Sequence, residues 1–272
     1  QKQINLFFKK LNMKKKSLSV KKKILNLNLD KISNKKILKI YRKFEFFIKD
    51  AIKKDNQIAV AVSGGPDSLA LAYLAQVLSI KEKIRVKFFI VDHRLRENSN
   101  KEAKKVKLFL KKFDINCQIL LWSGKKPKSN IQSIARKNRY ELLLSNCKKN
   151  NIRHLLIGHH IDDLYENFFI RLLRGSGLKG LTSFGETVEG KNKNVSILRP
   201  LINLEKNDLT FIVKNVFNFY VEDPSNQNLN FQRTRIRNLI LNLKKDGYDI
   251  KKFNLTIKNL KSSNDTIDFY VN

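Results

Sequence analysis

Acidic residues are scarce in this chain: 24 Asp and Glu stand against 56 Lys and Arg, a formal charge of +32 over 272 residues. So large an excess goes beyond what solubility requires and points to a polyanionic partner, with RNA or DNA the natural candidate. Cysteine is scarcer still. Cys117 and Cys147 are the only two and form no Cys-x-x-Cys pair, so neither a disulfide framework nor a zinc site is expected. No apolar run approaches the ~20 residues of a membrane span, and no signal-peptide pattern is present. These absences lead to the expectation of a cytoplasmic protein with no membrane partner, or one of an organelle stroma or matrix if organelle-encoded.

Not all of the positive charge is informative. Lysine and asparagine are used heavily throughout, as an AT-rich coding sequence dictates, and diffuse lysines also serve as a solvated surface. Arginine is more selective. Ten of the thirteen (Arg94, Arg96, Arg136, Arg139, Arg171, Arg174, Arg199, Arg233, Arg235 and Arg237) fall in the motif-bearing segments below, where a planar guanidinium suits bidentate phosphate recognition.

The chain divides unevenly. Residues 1–35 carry many lysines, no arginine and no acidic residue before Asp30, and the only methionine is Met13. They are expected to form a basic, disordered extension; an upstream-extended reading frame or a fragment boundary fits the same features. From Ile37 onward the pattern is regular. A helix through Tyr41, Phe44, Phe47, Ile48 and Ile52 leads to a strand at 58–62, and strands at 86–91, 117–121 and 154–157 alternate with helices at 71–78, 100–113 and 130–148. This βαβα order implies a doubly wound parallel sheet, an α/β fold of Rossmann type. A catalytic domain over 36–217 and a small helical C-terminal region over 218–272 follow, with a turn at Asp223-Pro224-Ser225-Asn226 between them.

The first strand runs directly into Ser63-Gly64-Gly65-Pro66-Asp67-Ser68 and then a helix. Two glycines and two serines let consecutive N–H groups turn inward, and the helix adds its positive end, so the bound group is expected to be an anion. No Gly-Lys-Ser/Thr follows, so the loop is not a Walker motif. It is similar instead to the pyrophosphate-gripping loop of ATP pyrophosphatases, which cut between the α and β phosphates. A plain solvent-facing turn is the alternative.

Ligands in doubly wound sheets bind beyond the carboxyl ends of the strands. Asp92-His93-Arg94-Leu95-Arg96 follows the second strand and Gly158-His159-His160-Ile161-Asp162-Asp163 the fourth, so three motifs converge on one edge. His93, His159 and His160 sit at those ends, suited either to phosphate stabilisation or to proton transfer, whereas His154 opens a strand and receives no role. Asp67 with Asp162 or Asp163 supplies hard oxygen ligands for Mg²⁺, or simply carboxylates that favour helix N-termini. Gln132, Arg136 and Arg139 form a polar stripe on one helix face. Ile161, Leu164, Tyr165, Phe168, Phe169 and Leu172 form an apolar one, read as core rather than as a base-stacking platform. Arg171 and Arg174 precede Gly175-Ser176-Gly177, a loop suited to an extended nucleotide.

Together with Asn130 to Tyr140, Arg171 to Leu181, Leu198-Arg199-Pro200-Leu201, Asp223 to Asn226 and Arg233 to Arg237, these motifs resemble the tRNA(Ile)-lysidine synthetase family of PP-loop ATP pyrophosphatases over roughly residues 40–240. The resemblance implies that ATP adenylates the C2 oxygen of the wobble cytidine in isoleucine tRNA with a CAU anticodon, releasing pyrophosphate. Free L-lysine then displaces AMP to form lysidine. It implies Asp67, His159, His160, Asp163 and Arg136 as catalytic, and Ser63, Gly64, Gly65, Pro66, Asp67, Ser68, Asp92, His93 and Gly158 as ATP-binding. Asp67 and Asp162 would hold Mg²⁺, and Arg139, Arg171, Arg174, Arg199, Arg233, Arg235 and Arg237 would contact tRNA. Oligomeric state stays open, a homodimer included.

Two departures stand out. Where the family usually has glutamine, alanine, glutamate and threonine, this chain has Leu164, Tyr165, Glu166 and Asn167, keeping the glutamate alone. Many members also continue well past 272 residues into C-terminal tRNA-binding domains, which bears on tRNA affinity. A PP-loop tRNA thiolase is the alternative enzyme, though it would need cysteines at the motif edge. A non-catalytic RNA-binding protein is the alternative class; it accounts for the charge but not for the nucleotide loop.

Overall fold

The computed structural model describes residues 30–53, 55–95, 98–124, 131–185, 187–189, 194–221 and 232–271. The Asp223 to Asn226 turn, Arg96 and nearly all of the basic extension lie outside them.

Helix α1 (Lys35–Ile52) starts where the Asn34 side chain accepts the N–H groups of Lys36 and Ile37 at 3.0 and 3.3 Å, satisfying donors that a helix start leaves unpaired. It buries Ile37, Ile40, Tyr41, Phe44, Ile48 and Ile52, one apolar stripe at helical spacing. Strand β1 (Gln57–Val62) then enters the loop of 63–65 and α2 (Pro66–Glu82), with Pro66 at its first turn. The sequence predicts one apolar face for α2 through Leu71, Leu74, Ala75 and Leu78. In the structure every residue from Ser68 to Leu78 is buried, because the sheet lies on one side of α2, and α1 and the later helix over Lys206–Val216 on others.

The sheet grows from β1. Strand β2 (Arg85–Asp92), α3 (Ser99–Lys111) and β3 (Cys117–Leu121) extend it one way; α4 (Ile131–Lys149) returns the chain so that β4 (His154–Leu156) pairs on the other side of β1. After α5 (Ile161–Leu172) and α6 (Leu178–Thr182), two short strands, β5 (Thr187–Glu189) and β6 (Ser196–Leu198), complete a six-stranded sheet of order β3-β2-β1-β4-β6-β5. Five strands are parallel and β5 is antiparallel to β6, so the doubly wound α/β class holds. Neither β5 nor β6 is expected from the sequence, since a three-residue strand carries no readable period. The strand order reverses between β1 and β4, the switch point at which such sheets hold ligands.

Side chains alternate across β1. Ile58, Val60 and Val62 enter the core under α1, α2, α3 and α7 (Lys206–Val216), whereas Ala59 enters a second core with Leu143 and Cys147 of α4. A third core is separate from the sheet: Tyr165 and Phe168 of α5 meet Ile236 and Ile240 of α8 (Gln232–Lys245) and Ile257 of α9 (Ile250–Val271). Phe253 of α9 lies 5.1–5.3 Å from the rings of Tyr165, Phe168 and Phe169. The apolar face of α5 is therefore core from Ile161 to Phe169, as its spacing predicts, but it is the core of the C-terminal helices, and Leu172, expected on the same face, is exposed. Among the described residues no helix is long and apolar enough to cross a membrane.

Candidate active site

The loop after β1 is held by one hydroxyl. Ser68 Oγ accepts the N–H groups of Ser63 and Gly64 at 3.1 and 3.2 Å and donates to the Gly65 carbonyl at 3.0 Å. Gly64 has φ +89°, and a Cβ there would meet Val106 Cγ2 at 2.7 Å, so only glycine fits. The N-cap of α2 is Gly65, with no side-chain hydrogen bond to the helix start, which leaves the first turn's amides open to an external anion.

The β4 motif is pressed against this loop. A Cβ on Gly158 would lie 3.0 Å from the carbonyl carbon and oxygen of Asp67 and 3.1 Å from the Ser68 nitrogen; its missing side chain lets the two strand ends touch. His160 then caps α5: its Nδ1 accepts the Asp162 N–H at 3.3 Å while its own N–H donates to Asp163 Oδ2 at 3.0 Å, a reciprocal box. With Nδ1 an acceptor, the hydrogen-bond pattern assigns the ring proton to Nε2. That nitrogen lies 3.6 Å from Asp67 Oδ2 and 3.7 Å from Asp163 Oδ2.

His160 therefore stands between two carboxylates, and they are Asp67 and Asp163. Asp162, the other residue expected to hold the metal, has its Oδ2 3.6 Å from His160 Nδ1. Burial raises the Asp67 carboxyl above its ordinary range, with the His160 charge opposing. Its Oδ1 is buried and has no hydrogen-bond partner among the described residues. An orphaned hard oxygen beside a phosphate-binding loop fits Mg²⁺, which takes one or two carboxylates and completes its shell with substrate phosphate and water. For Asp163 burial also works against ionisation, yet His159, His160 and the His160 amide hold it below the ordinary range.

His159 is locked from behind. Arg199 Nε donates to its Nδ1 at 3.0 Å, and the guanidinium lies 4.3 Å from the Phe184 ring centroid. Burial, with the charges of Arg199, Arg136 and Arg139, lowers the His159 pKa to about 3 against the pull of Asp163. It is a neutral ring with its proton on Nε2. Arg199, expected to contact tRNA, is only 6 % exposed and is committed to His159 and the Gly185 carbonyl at 2.6 Å; its position is internal.

Arg136 and Arg139 lie 5.3 and 5.7 Å from the Tyr140 ring centroid, and both charges reach His159, so these two arginines of the α4 stripe face the site, while the Gln132 side chain lies outside the described residues. His93 is held below its ordinary pKa by burial and the Arg139 charge, and its buried Nδ1 lacks a partner among the described residues. Asp92 is 2 % exposed. It accepts the Arg94 N–H at 2.9 Å and Asn100 Nδ2 at 3.1 Å, tying the end of β2 to the start of α3. Of the remaining arginines, Arg171 donates to Asn167 at 3.0 Å and Arg174 to Gln232 of α8 at 2.8 Å. Arg233 faces the acids, its charge felt at Asp163 and Glu166, while Arg235 is exposed. Arg237 pairs through Nε with Glu166 Oε1 and at 3.3 Å through its other nitrogen with Oε2.

Glu166 receives no role from sequence reasoning, although an acid inside the apolar run of α5 is a signal for a buried ion pair. Tyr140 and Phe184 are missed as well, because a lone aromatic residue in an α/β pattern reads as core.

A family model described as the PP-loop domain matches residues 29–244. The chain belongs to the PP-loop family. Among curated proteins it is 41% identical over 190 residues to the tRNA(Ile)-lysidine synthase of Orientia tsutsugamushi, a match covering 70% of this chain and 42% of that protein. It is 38% identical over 199 residues to that of Wolbachia pipientis wMel, covering 72% and 46%. The chain thus spans less than half the length of these relatives. Among solved structures the U34-tRNA thiolase NcsA from Methanococcus maripaludis, with its [4Fe-4S] cluster, superposes with a TM-score of 0.67 at 18% identity, covering 86% of this chain and 80% of that one. That likeness concerns the PP-loop fold alone.

Proposed function

We propose that the chain catalyses ATP-dependent ligation of L-lysine to C2 of the wobble cytidine in isoleucine tRNA with a CAU anticodon, in the cytoplasm or an equivalent compartment. The observation that carries the reading is the junction at the switch point, where a lysine-free anion loop abuts the His159 to Asp163 motif. The named relatives support the choice of substrate.

In the first step the cytidine O2 bonds to the α-phosphorus of ATP, the bond to the bridging oxygen breaks, and pyrophosphate leaves with that electron pair. Negative charge grows on the α-phosphate and on the leaving group. Open amides at Gly65 and the start of α2 face it, as do the ring N–H groups of His159 and His160 and the guanidinium groups of α4. Mg²⁺, held by Asp67, would supply further neutralisation of phosphate charge when bound. In the second step lysine Nε, its ammonium having released one proton to solvent, bonds to C2; the C2–O bond breaks and AMP departs with its electron pair. Asp163, kept ionised by its neighbours, offers negative charge where an incoming ammonium group needs it. His159 acts as a donor in this scheme and not as a base, because Arg199 occupies its free lone pair.

A thiolase reading requires reactive thiolates. Burial pushes both thiols up to about 12, and Cys117 and Cys147 lie in the cores on the two faces of the sheet, which disfavours it.

The test uses ATP, Mg²⁺, labelled lysine and either isoleucine or methionine tRNA, both with CAU anticodons. Label is expected in the isoleucine tRNA only. Incorporation into neither, or equally into both, contradicts the proposal.

A further inference from the structure

Residues 217–221, which leave α7, run back over α3. Phe217 is buried against Tyr73 and Phe113, with ring centroids 6.1 and 4.7 Å away, and Phe219 lies 4.2 Å from Phe109. These aromatic contacts fix a short strap, and its end reaches the phosphate loop: the Val221 N–H donates to the Gly64 carbonyl at 2.9 Å. Val221 Cγ2 also lies 3.5 Å from where a Gly64 Cβ would stand, opposite Val106. Gly64 is thus clamped between α3 and the strap.

The consequence concerns the next amide. In a trans peptide the carbonyl of one residue and the N–H of the following one point to opposite sides of the same plane. Anchoring the Gly64 carbonyl toward Val221 turns the Gly65 N–H away from the strap. The surroundings of the Gly65 Cα are uncrowded, since a Cβ there would meet nothing nearer than Ser63 Oγ at 3.9 Å. Gly64, with neither Cβ nor a preference against positive φ, resists a peptide flip poorly by itself. Ser68 Oγ holds the preceding two N–H groups but cannot hold this carbonyl.

We infer that Val221 is a positioning residue whose backbone N–H holds the Gly64–Gly65 peptide so that the Gly65 N–H faces the phosphates of ATP. The inference rests on the nucleotide-binding reading of the loop.

The experiment removes the donor while keeping the side chain: in the full chain, Val221 is replaced by its α-hydroxy acid, giving a backbone ester, alongside Val221→Pro and the conservative Val221→Ala. Affinity for ATP with Mg²⁺ is measured by calorimetry, and affinity for isoleucine tRNA by filter binding. Loss of one hydrogen bond to a charged group predicts ATP affinity weakened roughly tenfold to a hundredfold in the ester and proline variants. Val221→Ala retains the N–H and is expected within about threefold of the parent, with tRNA affinity unmoved in all three. An ester variant that binds ATP as tightly as the parent overturns the inference alone, as does an alanine variant that loses as much as the ester. A parent chain with no affinity for ATP overturns the nucleotide reading itself.

Discussion

The ion pair between α5 and α8 offers a quantitative test of how the C-terminal helices are joined to the rest. Glu166 is 2 % exposed and both its oxygens engage Arg237. Replacing Arg237 by alanine strands a carboxylate in the interior. Breaking a fully buried pair costs about 3–5 kcal/mol; because the Arg237 side chain is 34 % exposed, water recovers part of this and about 2–3 kcal/mol is expected. For a domain of this size that corresponds to roughly 5–10 °C in Tm. Burial raises the folded pKa of Glu166 while Arg237 opposes the rise, so removing Arg237 raises it further. A carboxyl whose folded pKa exceeds its unfolded value binds more protons folded than unfolded, and stability falls as pH rises through that window. The deficit of Arg237→Ala is therefore largest near and above neutrality and shrinks as the pH is lowered toward about 5. Glu166→Gln combined with Arg237→Met, which leaves no stranded charge, should recover most of it. Urea denaturation across this pH range measures the effect. A deficit under about 0.5 kcal/mol at neutral pH, or one that ignores pH, refutes the reasoning.

Other expectations concern the site directly. Asp67→Asn keeps size but removes charge; pyrophosphate release should fall by about a hundredfold or more while tRNA binding persists, and full activity would remove its assigned metal role. His159, with its pKa near 3, should show no imidazole titration by NMR from about pH 5 to pH 8. Its depressed folded pKa contributes stability that is complete above the unfolded value of about 6.5 and is lost as pH falls toward 3. Arg233→Ala should weaken tRNA binding and reduce its salt slope by about one, with ATP affinity little changed.

What the sequence reveals of this molecule follows from locality. The loop of 63–68, the histidine and aspartate run of 158–163 and the strands that precede them are contiguous, so residue order alone brings them to one sheet edge. The choice between Asp162 and Asp163 is not legible in the same way. Adjacent residues on a helix point about 100° apart, and the capping box of His160 sets Asp163 beside its Nε2, the nitrogen that also neighbours Asp67, and Asp162 beside its Nδ1. Arg199 shows the same limit from the other side. Its position in a motif says it matters, but its burial behind His159 depends on β6, a three-residue strand that pattern reading passes over. Glu166 and Arg237 stand 71 residues apart, and pairing at that distance is a property of the packed α5, α8 and α9 core.

In the proposed reaction the junction of the two loops performs chemistry at the α-phosphate and delivers AMP to RNA before lysine arrives. The direct measurement is to incubate the chain with ATP labelled at the α-phosphate and isoleucine tRNA in the absence of lysine, isolate the RNA, and then add lysine. Label is expected to be bound covalently to the RNA and to be released as AMP when lysine is supplied. Label that never joins the RNA, or a terminal-phosphate label that does, would contradict it.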